Sequence, residues 1–150
     1  MKVSSEAMSW YNKADQVWKN AGTPVMFGWH YKQKQLSFKV ASKALKAMWK
    51  SEFPKVKFPY SLVETSGNRY TWVYKRELRV NTYKDWATLT HDFSHWIGHK
   101  RSQVAKHGWK TPHCTDHAIL EYRLAKLVID KGWITESEEQ LNKERGNPLS

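Results

Sequence analysis

The sequence contains a single cysteine, Cys114, so no disulfide can form within the chain. It also lacks any apolar run near the ~18 residues that a membrane-spanning helix needs, and its first residues lack the apolar stretch of a secretory signal. These absences argue against a disulfide-built secreted scaffold and against an integral membrane protein. We therefore expect a cytoplasmic protein.

Acidic residues are scarce relative to basic ones. The chain has 25 Lys and Arg against 14 Asp and Glu, which gives a formal net charge of +11. Such a charge attracts polyanions, and nucleic acid is the first candidate partner. The lysines are spread along the chain, as they are in many basic proteins that bind no nucleic acid, so both interpretations stay open.

The length of 150 residues and the nine tryptophans allow one domain with a substantial core. We predict a single domain over residues 1–150. Its core spans about residues 56–133, N-terminal helices lie within residues 4–53, and a short helix over residues 135–146 closes the chain.

Hydrophobic periodicity predicts an α+β fold. Residues spaced by three or four follow Ser4 and Ser5 up to Gly22, and again from about 37 to 49, which indicates two helices. Alternating patterns before and after residues 66–68 indicate two neighbouring strands or a hairpin, in which Arg76 would mark a bulge.

Two further helices carry most of the histidines. The third helix is expected to begin at Thr82 and to run to about Lys100, with its histidines on the side opposite its apolar face. The fourth is expected to have Thr115 or Asp116 as its N-cap and to end at residues 131–132. On its helical wheel, His117 and Glu121 lie on the inward side.

The histidines are concentrated in one part of the chain, since all seven except His30 fall between His91 and His117. His91 and His95 are four residues apart on a helix, a spacing that lets both imidazoles reach one metal ion. His113 and His117 repeat the spacing downstream. A catalytic metal site also needs a carboxylate able to take a proton from water, and Asp92 directly follows the first histidine.

These motifs resemble those of zincin metallopeptidases of the SprT-like type and of related small phage-encoded metallopeptidases. The resemblance covers about residues 78–133. It consists of the predicted strand 77–81, the helix with the sequence His-Asp-x-x-His over residues 91–95, and a downstream histidine region from Pro112 to Glu121. This sequence has Asp92 where the usual zincin motif, His-Glu-x-x-His, has glutamate, and Asp is one methylene shorter.

The resemblance implies a zincin-like fold and a Zn2+-dependent peptidase, encoded by a phage or acting in a bacterial cell. His91 and His95 would bind zinc, and Asp92 would accept a proton from zinc-bound water. The third ligand would come from downstream: the family pattern favours His113, and the helical wheel favours His117, which we slightly prefer. Glu121 would orient a ligand imidazole or serve as the third ligand itself. Substrates would be proteins or peptides, including proteins associated with nucleic acid.

Two alternatives remain from the sequence. In one, the chain is a basic nucleic-acid-binding or host-interacting protein whose zinc is structural and held by four histidines, without catalysis. In the other, His91 and Asp92 are the paired ligands of an HD-type phosphohydrolase, with Asp116 downstream and His30 upstream.

Overall fold

The computed structural model describes residues 3–23, 32–67, 71–97 and 113–146. Within these residues the chain forms five helices and a sheet of three strands, which confirms the predicted α+β class. In chain order the elements are α1 (Ser5–Asn20), α2 (Phe38–Glu52), β1 (Ser61–Thr65), β2 (Trp72–Tyr74), β3 (Glu77–Asn81), α3 (Trp86–Ile97), α4 (Thr115–Lys131) and α5 (Trp133–Glu144).

The first two helices begin at serine caps. The Ser4 hydroxyl accepts a hydrogen bond from the backbone N–H of Ala7 at 3.1 Å, and the Ser37 hydroxyl accepts one from Val40 at 3.3 Å. Each cap satisfies a backbone donor that the first helical turn leaves free. The serines therefore fix where α1 and α2 begin.

Helix α3 begins later than the sequence suggests. Its cap is Asp85, whose Oδ1 accepts from the Thr88 N–H at 2.6 Å. Thr82 instead lies just after β3 and binds to β1, since its N–H donates to Thr65 O at 3.2 Å and its hydroxyl donates to Glu64 at 2.9 Å. The predicted end of this helix at Lys100 lies outside the described residues.

Gly132 separates helices α4 and α5. Gly132 has a φ of +70°, a backbone conformation that glycine adopts without the steric cost that Cβ imposes. α5 follows at once at Trp133, two residues before the expected start, because Trp133 is buried in the core and anchors the first turn.

The sheet differs from the predicted pair of strands. Its order is β1-β3-β2, with β1 parallel to β3 and β2 antiparallel to β3. The second alternating segment is thus a tight hairpin rather than one strand with a bulge at Arg76. The chain reverses at Lys75, a non-glycine residue with a φ of +59°.

One cluster of buried side chains joins the helices to the sheet. Trp18 of α1, Trp49 of α2, Leu78 of β3, Phe93 of α3 and Leu124 of α4 all belong to it. α4 packs against both α1 and α3, which brings residues from all three helices close together. No helix among the described residues is long and apolar enough to cross a membrane.

Candidate metal centre

His91 and His95 lie on the side of α3 that faces α4, while Leu89 and Phe93 are fully buried on the other side of the helix. The centroids of the two imidazole rings are 4.9 Å apart. Both rings are partly accessible to solvent. Helix α3 thus presents two candidate nitrogen ligands next to each other at the edge of the core.

His113, just before α4, completes a group that could hold a metal ion. Each of His91, His95 and His113 offers a ring nitrogen, and these nitrogens all lie within 4.8 Å of one another. The Nε2 atoms of His91 and His113 are 3.3 Å apart. Two nitrogens bound tetrahedrally to one zinc ion at about 2.0–2.1 Å would be about 3.3 Å apart, so this pair already has the separation that zinc requires.

Glu121 holds the other nitrogen of His91. Nδ1 of His91 hydrogen-bonds to Oε1 of Glu121, which is buried on α4. A carboxylate in this position keeps the proton on Nδ1 and leaves the Nε2 lone pair for a metal. Burial opposes the charged imidazole, but the hydrogen bond and the charge of Glu121 outweigh it and raise the pKa of His91.

His117 is fully buried, as the helical wheel predicts for the inward side of α4. Its Nδ1 lies 2.5 Å from the Tyr11 hydroxyl, and its Nε2 lies 3.1 Å from the backbone carbonyl of His91. Nε2 must donate to that carbonyl, so Nδ1 accepts from Tyr11. Both nitrogens are therefore occupied, and the structure brings His113, rather than His117, into the group of facing nitrogens.

The His117 ring also supports His95. The two rings are stacked, with centroids 3.8 Å apart and planes 18° from parallel. Burial, together with the nearby His95 and His91, lowers the pKa of His117 to about 2. A neutral ring can stack against His95 without adding a positive charge beside a metal.

Asp92 is a residue of α3, and its side chain reaches the segment that leads into β2. It is buried, and its Oδ2 accepts a hydrogen bond from the backbone N–H of Thr71, just before β2, at 3.3 Å. Burial raises the pKa of this carboxyl to about 7, although His91 and the Thr71 N–H oppose the rise. A carboxyl with a pKa near 7 can gain and lose a proton at neutral pH.

Helix α1 contributes residues that the sequence pattern did not single out. Tyr11 and Asp15 line a cavity of about 270 Å³ together with His91, His113 and Glu121. Burial raises the pKa of Tyr11, and so does the nearby charge of Glu121. In the sequence Tyr11 was one apolar position among several on an amphipathic helix, and no motif connected it to histidines more than a hundred residues away.

Of the residues that the HD-type alternative requires, His91 and Asp92 lie at this centre but Asp116 does not. Asp116 is exposed at the start of α4 and is not part of the histidine group. His30 lies outside the described residues, as do His99 and His107.

Comparisons with known proteins found no match: no family model, no curated protein and no solved structure matches this chain. The centre combines three imidazoles from two segments, a carboxylate that orients one of them, and a second buried carboxyl next in sequence to a candidate ligand. Such a set can bind a divalent metal ion and hold a proton acceptor nearby.

Proposed function

We propose that the protein is a zinc-dependent peptidase of the zincin type, similar to the SprT-like and phage-encoded metallopeptidases that its motifs resemble. The observation that carries the proposal is the convergence of His91, His95 and His113 with their ring nitrogens within 4.8 Å. Three imidazoles are a common donor set for catalytic zinc, and they leave a fourth position for water or substrate.

In this proposal His113 is the third ligand and His117 supports the others. His113 is exposed, and its Nε2 faces that of His91 at 3.3 Å. His117 would have to give up its bonds to Tyr11 and to the His91 carbonyl before it could bind metal. Glu121 acts through His91, because its carboxylate fixes the tautomer and the direction of that ring.

Asp92 is the proposed proton acceptor. Zinc at this centre would polarise a substrate carbonyl and make a nearby water molecule more acidic. Asp92 takes the proton that the attacking water loses and returns it to the leaving amine, tasks that suit a carboxyl whose pKa is about 7. The hydrogen bond from Thr71 fixes one of its oxygens and so limits how the shorter Asp side chain can turn.

We extend the proposal to the substrate class: proteins, including those associated with nucleic acid. The resemblance supports this extension, because SprT-like peptidases include proteins that act on DNA-associated substrates. The formal charge of +11 also favours approach to a polyanion-bound protein.

The alternative of a purely structural zinc site needs four protein ligands and no position for water. His91, His95, His113 and His117 would be those ligands. The bonds already made by both nitrogens of His117 weigh against this closed set.

Zinc content and proteolysis test the proposal together. We would measure zinc by elemental analysis and cleavage of casein for the unmodified protein, His91→Ala, Asp92→Asn and the control Asp130→Asn, which removes an exposed carboxylate at the far end of α4. We expect His91→Ala to lose zinc and cleavage, Asp92→Asn to keep zinc and lose cleavage, and the control to keep both. Zinc without any Asp92-dependent cleavage would favour the structural alternative, and no zinc in the unmodified protein would overturn the metal site.

A further inference from the structure

A cavity of about 270 Å³ opens beside the histidine group, between α1 and α4. Ligand pockets usually measure about 300–1,000 Å³, so this one suits a single side chain rather than a whole small molecule. His91 and His113 form one wall of the cavity. A group bound in it would therefore sit directly next to the candidate metal centre.

Much of the remaining lining of the cavity is apolar. It includes Val3, Met8 and Tyr11, and Met8 has 43% of its surface exposed. An exposed methionine at the mouth of a pocket offers a flexible surface to an aliphatic chain. The apolar part of the lining thus favours methylene groups over polar ones.

Two carboxylates lie in the same cavity, and they differ in their partners. Glu121 is bound to His91. Asp15 is half-buried, and among the described residues no Lys, Arg or His nitrogen lies within 4.0 Å of its carboxylate. Burial raises the pKa of Asp15, which reflects the cost of a charge without a close counter-ion, although the exposed Lys19 and His91 act against the rise.

We propose that this cavity is a specificity pocket for a lysine or arginine side chain of the substrate, with Asp15 as the residue that selects the positive charge. The inference rests on the proposed function, because it places the occupant beside the peptide bond to be cleaved. The methylene groups of the substrate side chain contact Met8 and Tyr11, and its charged end pairs with Asp15. Lysine and arginine combine an apolar stem with a charged head in this way.

Charge selection by Asp15 gives a measurable preference. A charge-assisted bond to a partly buried carboxylate is roughly twice as strong as a neutral hydrogen bond, so we expect about tenfold tighter binding of a cationic side chain than of an anionic one. Proteins that bind nucleic acid are rich in lysine and arginine, which agrees with the substrate class proposed above.

Peptide binding tests the pocket without relying on cleavage. Three hexapeptides identical except for one central residue, which is lysine, norleucine or glutamate, would be titrated calorimetrically into the zinc-free and zinc-loaded full chain. The same titrations would be run with Asp15→Asn, Asp15→Lys and the control Asp130→Asn. We expect the lysine peptide to bind about tenfold more tightly than the glutamate peptide, Asp15→Asn to remove most of this preference, Asp15→Lys to reverse it, and the control to keep it.

Different results would contradict the pocket proposal and the peptidase proposal. Equal binding of the three peptides, no binding of any of them at millimolar concentration, or a preference that survives Asp15→Asn and Asp15→Lys would overturn the pocket. A preference lost equally in Asp130→Asn would also overturn it, because only bulk charge would then matter. The peptidase proposal stands or falls on zinc content and casein cleavage by the unmodified protein.

Discussion

The hydroxyl of Tyr11 lies 2.5 Å from Nδ1 of His117, and this contact joins α1 to α4 across 106 positions of the chain. His117 in turn donates to the backbone carbonyl of His91 on α3. One buried imidazole therefore connects three helices at the edge of the histidine group. The position of the rings on α3 depends on a helix near the start of the sequence.

Replacing Tyr11 by phenylalanine should destabilise the protein by about 1–3 kcal/mol, because Nδ1 of the buried His117 would lose its donor. Chemical denaturation monitored by circular dichroism would measure the loss. Tyr122→Phe is the matched control on α4, where the ring packs against Trp10, and we expect a change within about 0.5 kcal/mol. Equal stability of Tyr11→Phe and the unmodified protein would contradict the role given to this bond.

The third ligand can be identified by comparing two histidine variants. His113→Ala should weaken zinc binding at least about 100-fold with little change in stability, because the residue is exposed. His117→Ala should keep stoichiometric zinc but lower the free energy of unfolding by about 2–4 kcal/mol, because it empties a buried position and leaves the Tyr11 hydroxyl without its acceptor. Competition with a chromogenic chelator and denaturation give the two readouts. The reverse pattern would make His117 the ligand, as the helical wheel alone suggests.

Glu121 should affect zinc affinity through His91. Removal of a carboxylate that orients a metal ligand typically costs about 10–100-fold in affinity, so we expect Glu121→Ala to fall within this range. Glu121→Gln should lose less, since its amide oxygen can still accept from Nδ1 of His91. Complete loss of zinc in both variants would show instead that the carboxylate is itself a ligand.

The ionised carboxylate of Asp92 should lower the free energy of unfolding at neutral and alkaline pH. Its folded pKa of about 7 is above the ordinary 3.8, so the folded state holds a proton that the unfolded state releases between these values. The favourable contribution is fully present below pH 3.8 and is lost as the pH rises through about 7. Asp92→Asn cannot ionise, and in zinc-free protein we expect it to be more stable than the unmodified chain by about 1–3 kcal/mol at pH 8.

Denaturation at several pH values would test this relationship. The advantage of Asp92→Asn should shrink as the pH falls from 7 toward 4, and Asp130→Asn would be measured beside it as a control at an exposed carboxylate. An Asp92→Asn variant that is less stable at pH 8 would indicate that the carboxylate is stabilised in the folded protein and that its pKa is not raised.

Local signals in the sequence were sufficient for the starts of α1 and α2 and for the end of α4. Ser4 and Ser37 cap helices because their hydroxyls satisfy the nearest free N–H groups, and Gly132 ends one because it accepts a positive φ. The four-residue spacing of His91 and His95 likewise follows from helical geometry, which places both rings on one side.

Contacts between distant segments were not visible in the pattern. The parallel pairing of β1 with β3 depends on the path of the chain between them, and the reversal at Lys75 has no glycine or asparagine to signal it. The facing of His113 toward His91 depends on the packing of α4 against α3. Tyr11 and Asp15 meet the centre only because α1 packs along α4.

The contact between Tyr11 and His117 also limits how far the chain can be shortened from its N-terminus without loss of structure at the candidate metal centre. A fragment starting at residue 56 would contain every candidate ligand, the orienting carboxylate and the proton acceptor. It would lack α1, so His117 would lose its hydroxyl partner, and the side of α4 that packs on α1 would be open to water. Trimming the chain to the part that carries the motif would therefore retain the candidate metal-binding residues and remove the support that holds them in position.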